Sequence, residues 1–560
     1  MTESGTDSVQ KPMSKTFVRI WLAALIVVAL FVRVQGMDAY YYSPDEAMHV
    51  DMAQGQSTAQ VWQFSLYETH PPLGNFLRHY WMSISDAMEF VRGQSLLFGI
   101  GLLFVYYAIG RRLSGELCGM CCASMVAFSQ GCIIQSTTAR NYAFFLFFIS
   151  LGFYFSLLWR EKRSVRSLLG YCFCGCLACT THFSGVFCIS CIALCEMPGA
   201  LRTHTHLRWI VANALVISLA LAFIIFWQPT LTLMQLQYFN LSSLALHTRI
   251  FAMLLYPLSS ALYLFPSHNL AMPLICFFTA MALWPGGAAR SNRTLQFLLA
   301  LMGCAFALGM VLFIFNIYTS ITGKHIIWTF PFIIPALGWL LSDACARAAQ
   351  HLARLRQAQW AAYLATGIFI GSWALYSPAD RFADTSEYAM NHSQYDALKR
   401  FYATLGPGDL IVMHRDDAAM FANIYPALGN DAFTGLVNAT VVPYLNTRIL
   451  FNPFFRRLNE TGVLLNTLLE AKTNHMLDGV DRLIFFYSLW PQSAVGQLIL
   501  CPSLDKEMLT FPPKEPGHRF SREELSHEAA LVLIVQKAVF FKEVLSPAGN
   551  AHSCLDKQRE

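Results

Sequence analysis

The segment NYAFFLFFISLGFYFSLLWREKRSVR (141–166) decides the fold class. Residues 141–159 carry no charge, and four basic residues follow within the next seven positions. An uncharged apolar run of about 18 residues or more is long enough to cross a bilayer. A cluster of Lys and Arg at its end marks the cytoplasmic side. The same two signals recur in LLFGIGLLFVYYAIG (96–110), which runs into Arg111 and Arg112, and in TLQFLLALMGCAFALGMVLFIF (294–315), which follows Arg290 and Arg293. The whole chain is 55% hydrophobic and only 13% charged, against about 25% charged in a soluble domain. The fold class these features predict is a polytopic α-helical membrane protein. A net charge of +5 over 560 residues calls for no nucleic-acid partner.

Charge also orients the spans. Lys11, Lys15 and Arg19 place the N-terminus in the cytoplasm, ahead of an apolar run that reads as an uncleaved signal anchor. Tracing basic clusters from there predicts 11–13 spans, with one at about 116–134 and two shorter or re-entrant segments turning at TTHFSG within 168–197. The predicted domains are a cytoplasmic lead (1–16), a transmembrane domain (17–375) whose first outer loop is 36–91, and an extracytoplasmic α/β domain (376–560). In the last of these, YDALKRFYATLGPGDLIVMHRDD (395–417) reads as amphipathic helix, turn and strand. DRLIFFYSLW (481–490) and ALVLIVQKAVFFKEVL (530–545) both read as strands. Most of the 16 cysteines lie in apolar stretches, including C-x-C-x-C at 172–176, and there they act as small hydrophobes. Cys501 and Cys554 lie in the polar tail, where an oxidising compartment would let them pair.

With the spans oriented, chemistry-bearing residues gather on the outer side. The first loop holds YYSPDEAMHVDMAQ (41–54) and YETHPPLGNFLRHYW (67–81), with Asp45, Glu46, His49, Asp51, Glu68 and His70. Later outer turns hold Arg140, His247 with Arg249, and Lys324 with His325. Basic residues are scarce outside, so their recurrence in successive turns calls for an anionic partner. Pro44 is suited to open a helix, and Asp45 and Glu46 in its first turn can serve as caps as readily as catalysts. Pro71–Pro72 holds His70 extended and starts a second helix. Arg415-Asp416-Asp417, just after a predicted strand, reads as a solvated loop.

The Asp45–Glu46 pair after the first span, H-P-P-L at 70–73, A-R-N-Y at 139–142 and GKHIIWTFPFIIPALGWLL (323–341) together resemble the GT-C membrane glycosyltransferases. The branch they are most similar to contains the protein O-mannosyltransferases and the aminoarabinose or galacturonic acid transferases. The likeness covers about residues 15–375. It departs at His70, where the aminoarabinose transferases have a lysine, and at Lys324–His325, where the family has Arg-Tyr; the donor sugar is therefore unassigned. The resemblance implies an inverting glycosyltransferase that moves a monosaccharide from a polyprenyl-phosphate donor to an acceptor hydroxyl on a glycan, a lipid or a protein. It implies a multi-pass protein of the bacterial inner membrane with its active site on the periplasmic face.

The residues suit that chemistry on their own terms. A departing lipid phosphate needs preorganised donors, for which His70, Arg140, Arg249, Lys324 and His325 are the candidates. The attacking hydroxyl needs a carboxylate base; Asp45 is the first choice and Glu46 the second. One base and a single displacement predict inversion. Glu68, Tyr142 and His49 are supporting candidates, and a divalent cation held by Asp45 and Glu68 stays open as an alternative. The competing functions are a transporter or flippase, which would place ionisable groups at the bilayer midplane, and a polymerase or ligase using a pyrophosphate-linked lipid.

Overall fold

Apolar runs joined by short polar turns fold here into a stack of helices, and the polar tail folds around a sheet. The computed structural model describes residues 13–37, 40–55, 57–66, 70–226, 256–265, 270–271, 273–274, 276, 292–314, 323–351, 357–374, 392–413, 415–422, 439–451, 461–487, 506–510 and 531–543. Two units interleave along the chain. Residues 1–37 and 68–383 form the helical unit, and residues 38–67 and 384–560 form the second. Linear order had placed the first loop with the helical unit; the contacts group residues 38–67 with the C-terminal domain instead.

Among the described residues of the helical unit, seven helices are long and apolar enough to cross a membrane. They include α1 (Lys15–Met37), α5 (Met88–Ser114), α8 (Tyr142–Lys162), α10 (Gly185–Arg202) and α11 (His206–Phe226). After α12 (Tyr256–Leu264) come α13 (Arg293–Ile314), a 3-10 turn (Gly323–Thr329) running into α14 (Phe330–His351), and α15 (Gln357–Ala374). A shorter apolar helix, α9 (Val165–Thr181), precedes α10, with the turn between them at 182–184. The short α4 (Leu73–Met82) follows Pro71–Pro72, as its sequence predicts. Small residues set how closely helices approach. A side chain at Gly110 would stand 2.6 Å from the Cys118 carbonyl, and one at Gly119 would stand 2.7 Å from that of Tyr107. The backbones of α5 and the helix after it therefore touch, as small residues permit inside a membrane. Cys118, Cys121, Cys122, Cys174, Cys179, Cys188 and Cys191 are buried free thiols in this packing. Cys501 and Cys554 lie outside the described residues.

The span expected at 116–134 is not one helix. It breaks at Ser129 into α6 (Glu116–Phe128) and α7 (Gln130–Thr137), bent by 58°. Ser129 leaves the helical conformation (φ −67°, ψ 124°), its hydroxyl accepts the Cys132 N–H, and it donates to the Leu264 carbonyl. A serine side chain that competes for backbone groups in this way starts a new helix instead of continuing the old one.

In the second unit, α2 (Pro44–Ala53) and α3 (Thr58–Ser65) come from the first loop, and the rest comes from the tail. Helix α16 (His392–Ala403) turns at 404–408 into β1 (Asp409–Val412), which pairs in parallel with β3 (Thr447–Phe451) and β4 (Arg482–Tyr487). With β2 (Thr440–Tyr444), β5 (Glu507–Thr510) and β6 (Leu531–Gln536) the order is β2-β3-β1-β4-β6-β5. Two local readings are corrected. Arg415–Phe421 is a helix, α17, against which α2 packs, and not a loop. The strand read through 530–545 stops at Gln536 and becomes α19 (Lys537–Glu543), after α18 (Thr461–Thr473). Gln536 faces Arg482, the first residue of β4, so β4 offers no ladder beyond it to hold an extended chain. Tyr41 stacks on Tyr395 at 3.5 Å, and Tyr395 stacks on Phe421 at 5.4 Å, so rings from loop and tail form one pile.

Candidate functional site

Ser43 stands in extended conformation before α2 and accepts the Glu46 N–H at 3.3 Å, while the Glu46 carboxylate accepts the Ser43 N–H at 3.2 Å. This is a complete capping box with Pro44 in the first turn. Glu46, 2% exposed, is therefore committed to starting the helix. Asp45 shares that first turn and is half-buried, at the helix end whose dipole favours an anion. His49 and Asp51 are buried further along α2. Glu68 lies outside the described residues, as do His247 and Arg249. Among the described residues no three His, Cys, Asp or Glu side chains are grouped as a cation site requires.

The other candidates belong to the helical unit, where three turns bring their side chains together. His70 precedes the proline pair, Tyr142 opens α8, and His182 fills the turn between α9 and α10. The rings of His70 and His182 are 4.9 Å apart, those of His70 and Tyr142 5.8 Å, and those of Tyr142 and His182 5.1 Å. The Arg140 guanidinium lies 5.1 Å from the centre of the Tyr142 ring. Arg140 is 3% exposed and Lys324 6%. Lys324 and the half-buried His325 stand on the 3-10 turn 323–329, which packs against α7, α8 and α10. That turn is pinned where the Cys188 thiol donates to the Trp328 carbonyl at 3.1 Å. His182 accepts the Ser184 N–H on Nδ1 at 3.1 Å, which leaves its proton on Nε2 as a donor.

Sequence reasoning had not singled out His182, nor three buried arginines at the same end of the unit. Arg78 donates to Asn75 and to Asn141, the residue after Arg140, at 3.3 and 3.4 Å. Gly74 makes room for this, because a side chain there would meet Asn141 at 2.1 Å. Arg92 donates to the last carbonyl of α1, that of Met37, at 2.5 Å. Arg33 donates to Ser136 and to three backbone carbonyls. His182 had a signal: it is a polar residue in a short turn between two apolar segments. Arg78 had one in its i, i+3, i+4 spacing from Gly74 and Asn75 on α4.

Taken together, guanidinium and imidazole groups are set in a buried corner beside an aromatic ring, and the turn that carries the buried Lys324 packs against helices of the same corner. Removing a cation from water costs several kcal/mol, and an anionic ligand offsets that cost most effectively when an arginine meets it with two parallel donors. A phosphate fits this donor set.

Solved structures share this fold. ArnT from Cupriavidus metallidurans in the apo state superposes with a TM-score of 0.56 over 92% of this chain and 98% of its own, at 13% identity. The same protein bound to undecaprenyl phosphate gives 0.53 over 94% and 98%, also at 13% identity. This chain has the GT-C glycosyltransferase fold. Within it, residues 106–203 match the family described as the protein O-mannosyl-transferase TMEM260 N-terminal domain. That stretch of the GT-C unit contains the α6–α7 bend and the turns bearing Arg140 and His182. No curated protein matches the chain in sequence.

Proposed function

We propose that this GT-C chain is an inverting glycosyltransferase that moves one sugar from a polyprenyl-phosphate donor to an acceptor hydroxyl on the outer face of the membrane. The observation that carries the reading is the buried cluster of Arg140, Tyr142, His70 and His182, beside the turn that bears Lys324. The likeness to a protein solved with undecaprenyl phosphate supports a lipid phosphate as the anion.

In this reading Arg140, Lys324, His70 and the Nε2–H of His182 meet the phosphate. They stabilise the charge that grows on it as the bond from the anomeric carbon to the phosphate oxygen breaks. The electron pair leaves with the phosphate. The acceptor oxygen forms the new bond to that carbon, and its proton passes to Asp45. Glu46 drops out of the catalytic set because its carboxylate holds the start of α2. A single displacement of this kind inverts the anomeric centre.

The test is mass spectrometry of membrane lipids, glycans and proteins from cells with and without the chain. One missing monosaccharide would identify donor and acceptor together, whereas identical profiles would remove the proposal. Asp45→Asn is expected to slow turnover about 1,000-fold, within the usual range for losing a general base, while undecaprenyl phosphate still binds. Full activity in that variant would sink the assignment of the base.

A further inference from the structure

Arg33 lies near the end of α1, fully buried inside the helical unit, and the proposed reaction gives it no role. Its side chain spans the α6–α7 break. Nη2 donates to the Val126 carbonyl at 2.8 Å, and Nη1 donates to those of Ala127 at 3.0 Å and Ala29 at 3.2 Å. Nε donates to the Ser136 hydroxyl at 2.9 Å. In an unbroken helix the carbonyls of residues 126 and 127 would accept the N–H groups of residues 130 and 131. The bend removes those donors, and a carbonyl left unbonded in an apolar interior is strongly disfavoured. Arg33 therefore replaces the backbone bonds that the bend breaks, and its Nε reaches the last turn of α7. Ser136 stands four residues before Arg140, and the turn between them is short and closed by a bond from the Arg140 N–H to the Thr138 carbonyl.

We infer that Arg33 is a positioning residue: it clasps the α6–α7 bend and thereby sets the turn that presents Arg140. The link from that turn to phosphate rests on the function proposed above; the clasp itself does not. An arginine is needed because the fork reaches both carbonyls and the hydroxyl at once, whereas a lysine ammonium is a single point on a flexible stem.

The test uses the full-length protein in membranes, with Arg33→Met and Arg33→Lys. Cys132, 3% exposed at the start of α7, reports the clasp through its rate of alkylation by N-ethylmaleimide, read site by site in a mass spectrometer. Arg33→Met is expected to raise that rate at least tenfold and to weaken undecaprenyl phosphate binding about tenfold, with Arg33→Lys recovering part of both. Folded Arg33→Met protein that keeps Cys132 protected and binds the lipid phosphate normally would overturn the inference. Should Arg33→Met fail to fold, Ser136→Ala removes the α7 end of the clasp alone and is expected to weaken binding; unchanged binding there would equally overturn it. If Arg33→Met exposes Cys132 while the wild-type chain binds no lipid phosphate, the clasp stands and the phosphate reading falls.

Discussion

The two ends of the helical unit use the same kind of residue in opposite ways. At the end where α5, α8 and α10 finish, arginines meet carboxylates. Arg111 pairs with Glu116 at 2.9 Å, Arg112 with Glu161 at 2.6 Å, and Arg160 with the buried Glu196 at 3.6 Å. At the end where α8 and α10 begin, the groups that hold the arginines include Ser136, backbone carbonyls, Asn75, Asn141 and the Tyr142 ring. These are neutral. A carboxylate compensates the charge it binds, whereas neutral groups such as these orient a guanidinium through hydrogen bonds and ring contact.

The contrast breaks most readily at Arg140. Arg140→Ala is expected to weaken undecaprenyl phosphate binding about 100-fold, the scale of a charge-assisted pair in a dry site, with little loss of thermal stability. If only the acceptor requirement changes, Arg140 is no phosphate ligand. Glu196→Gln should do the converse. Leaving Arg160 without its buried partner is expected to destabilise the unit by about 2 kcal/mol, visible as a lower thermal midpoint, while lipid-phosphate affinity holds; a change in affinity would mean that the two ends are coupled.

The C-terminal unit provides a paired acid for calibration. Arg482 donates two bonds to Asp409, at 2.7 and 2.9 Å, and the Gly406 N–H adds a third at 2.8 Å. Burial alone would raise the Asp409 carboxyl, but these bonds and the Arg482 charge outweigh it and hold it below the ordinary carboxylate value. A carboxyl lowered in the folded state stabilises above its unfolded value. The advantage of Asp409 over Asn, about 1 kcal/mol, should thus be complete at neutral pH and fade as the pH falls below about 4. Acid unfolding of wild type and Asp409→Asn followed in parallel measures it, and a gap that persists at low pH would contradict the pairing. The smallest effect belongs to Arg111→Ala. That side chain is 60% exposed, and an exposed pair of this kind contributes less than about 0.5 kcal/mol; neither stability nor binding should move measurably.

Much of this was legible before any coordinates. The long spans, the helices opening at Pro44 and after Pro71–Pro72, the turn at TTHFSG and strand β1 all follow from local pattern. His70, Arg140 and Lys324 stand out as candidates by the same local reasoning, because basic residues in turns expected on the outer side are scarce. The misreadings share a cause, which is that each depended on what lay across from the segment. KAVFFKE has a strand's composition, yet its partner strand β4 begins opposite Gln536. His182 sits in a turn that reads as a simple connection until its ring is found 4.9 Å from that of His70.

The sequence by itself determined that this is a membrane protein of many helices with an α/β tail, because hydropathy, charge asymmetry and proline position act over a few neighbouring residues. Tertiary structure alone decided that residues 38–67 join the C-terminal unit, that the 116–137 segment bends at Ser129, and that Arg33 spans the break. Those outcomes rest on partners about a hundred or several hundred residues away. No local window contains the carbonyls and rings that these residues meet.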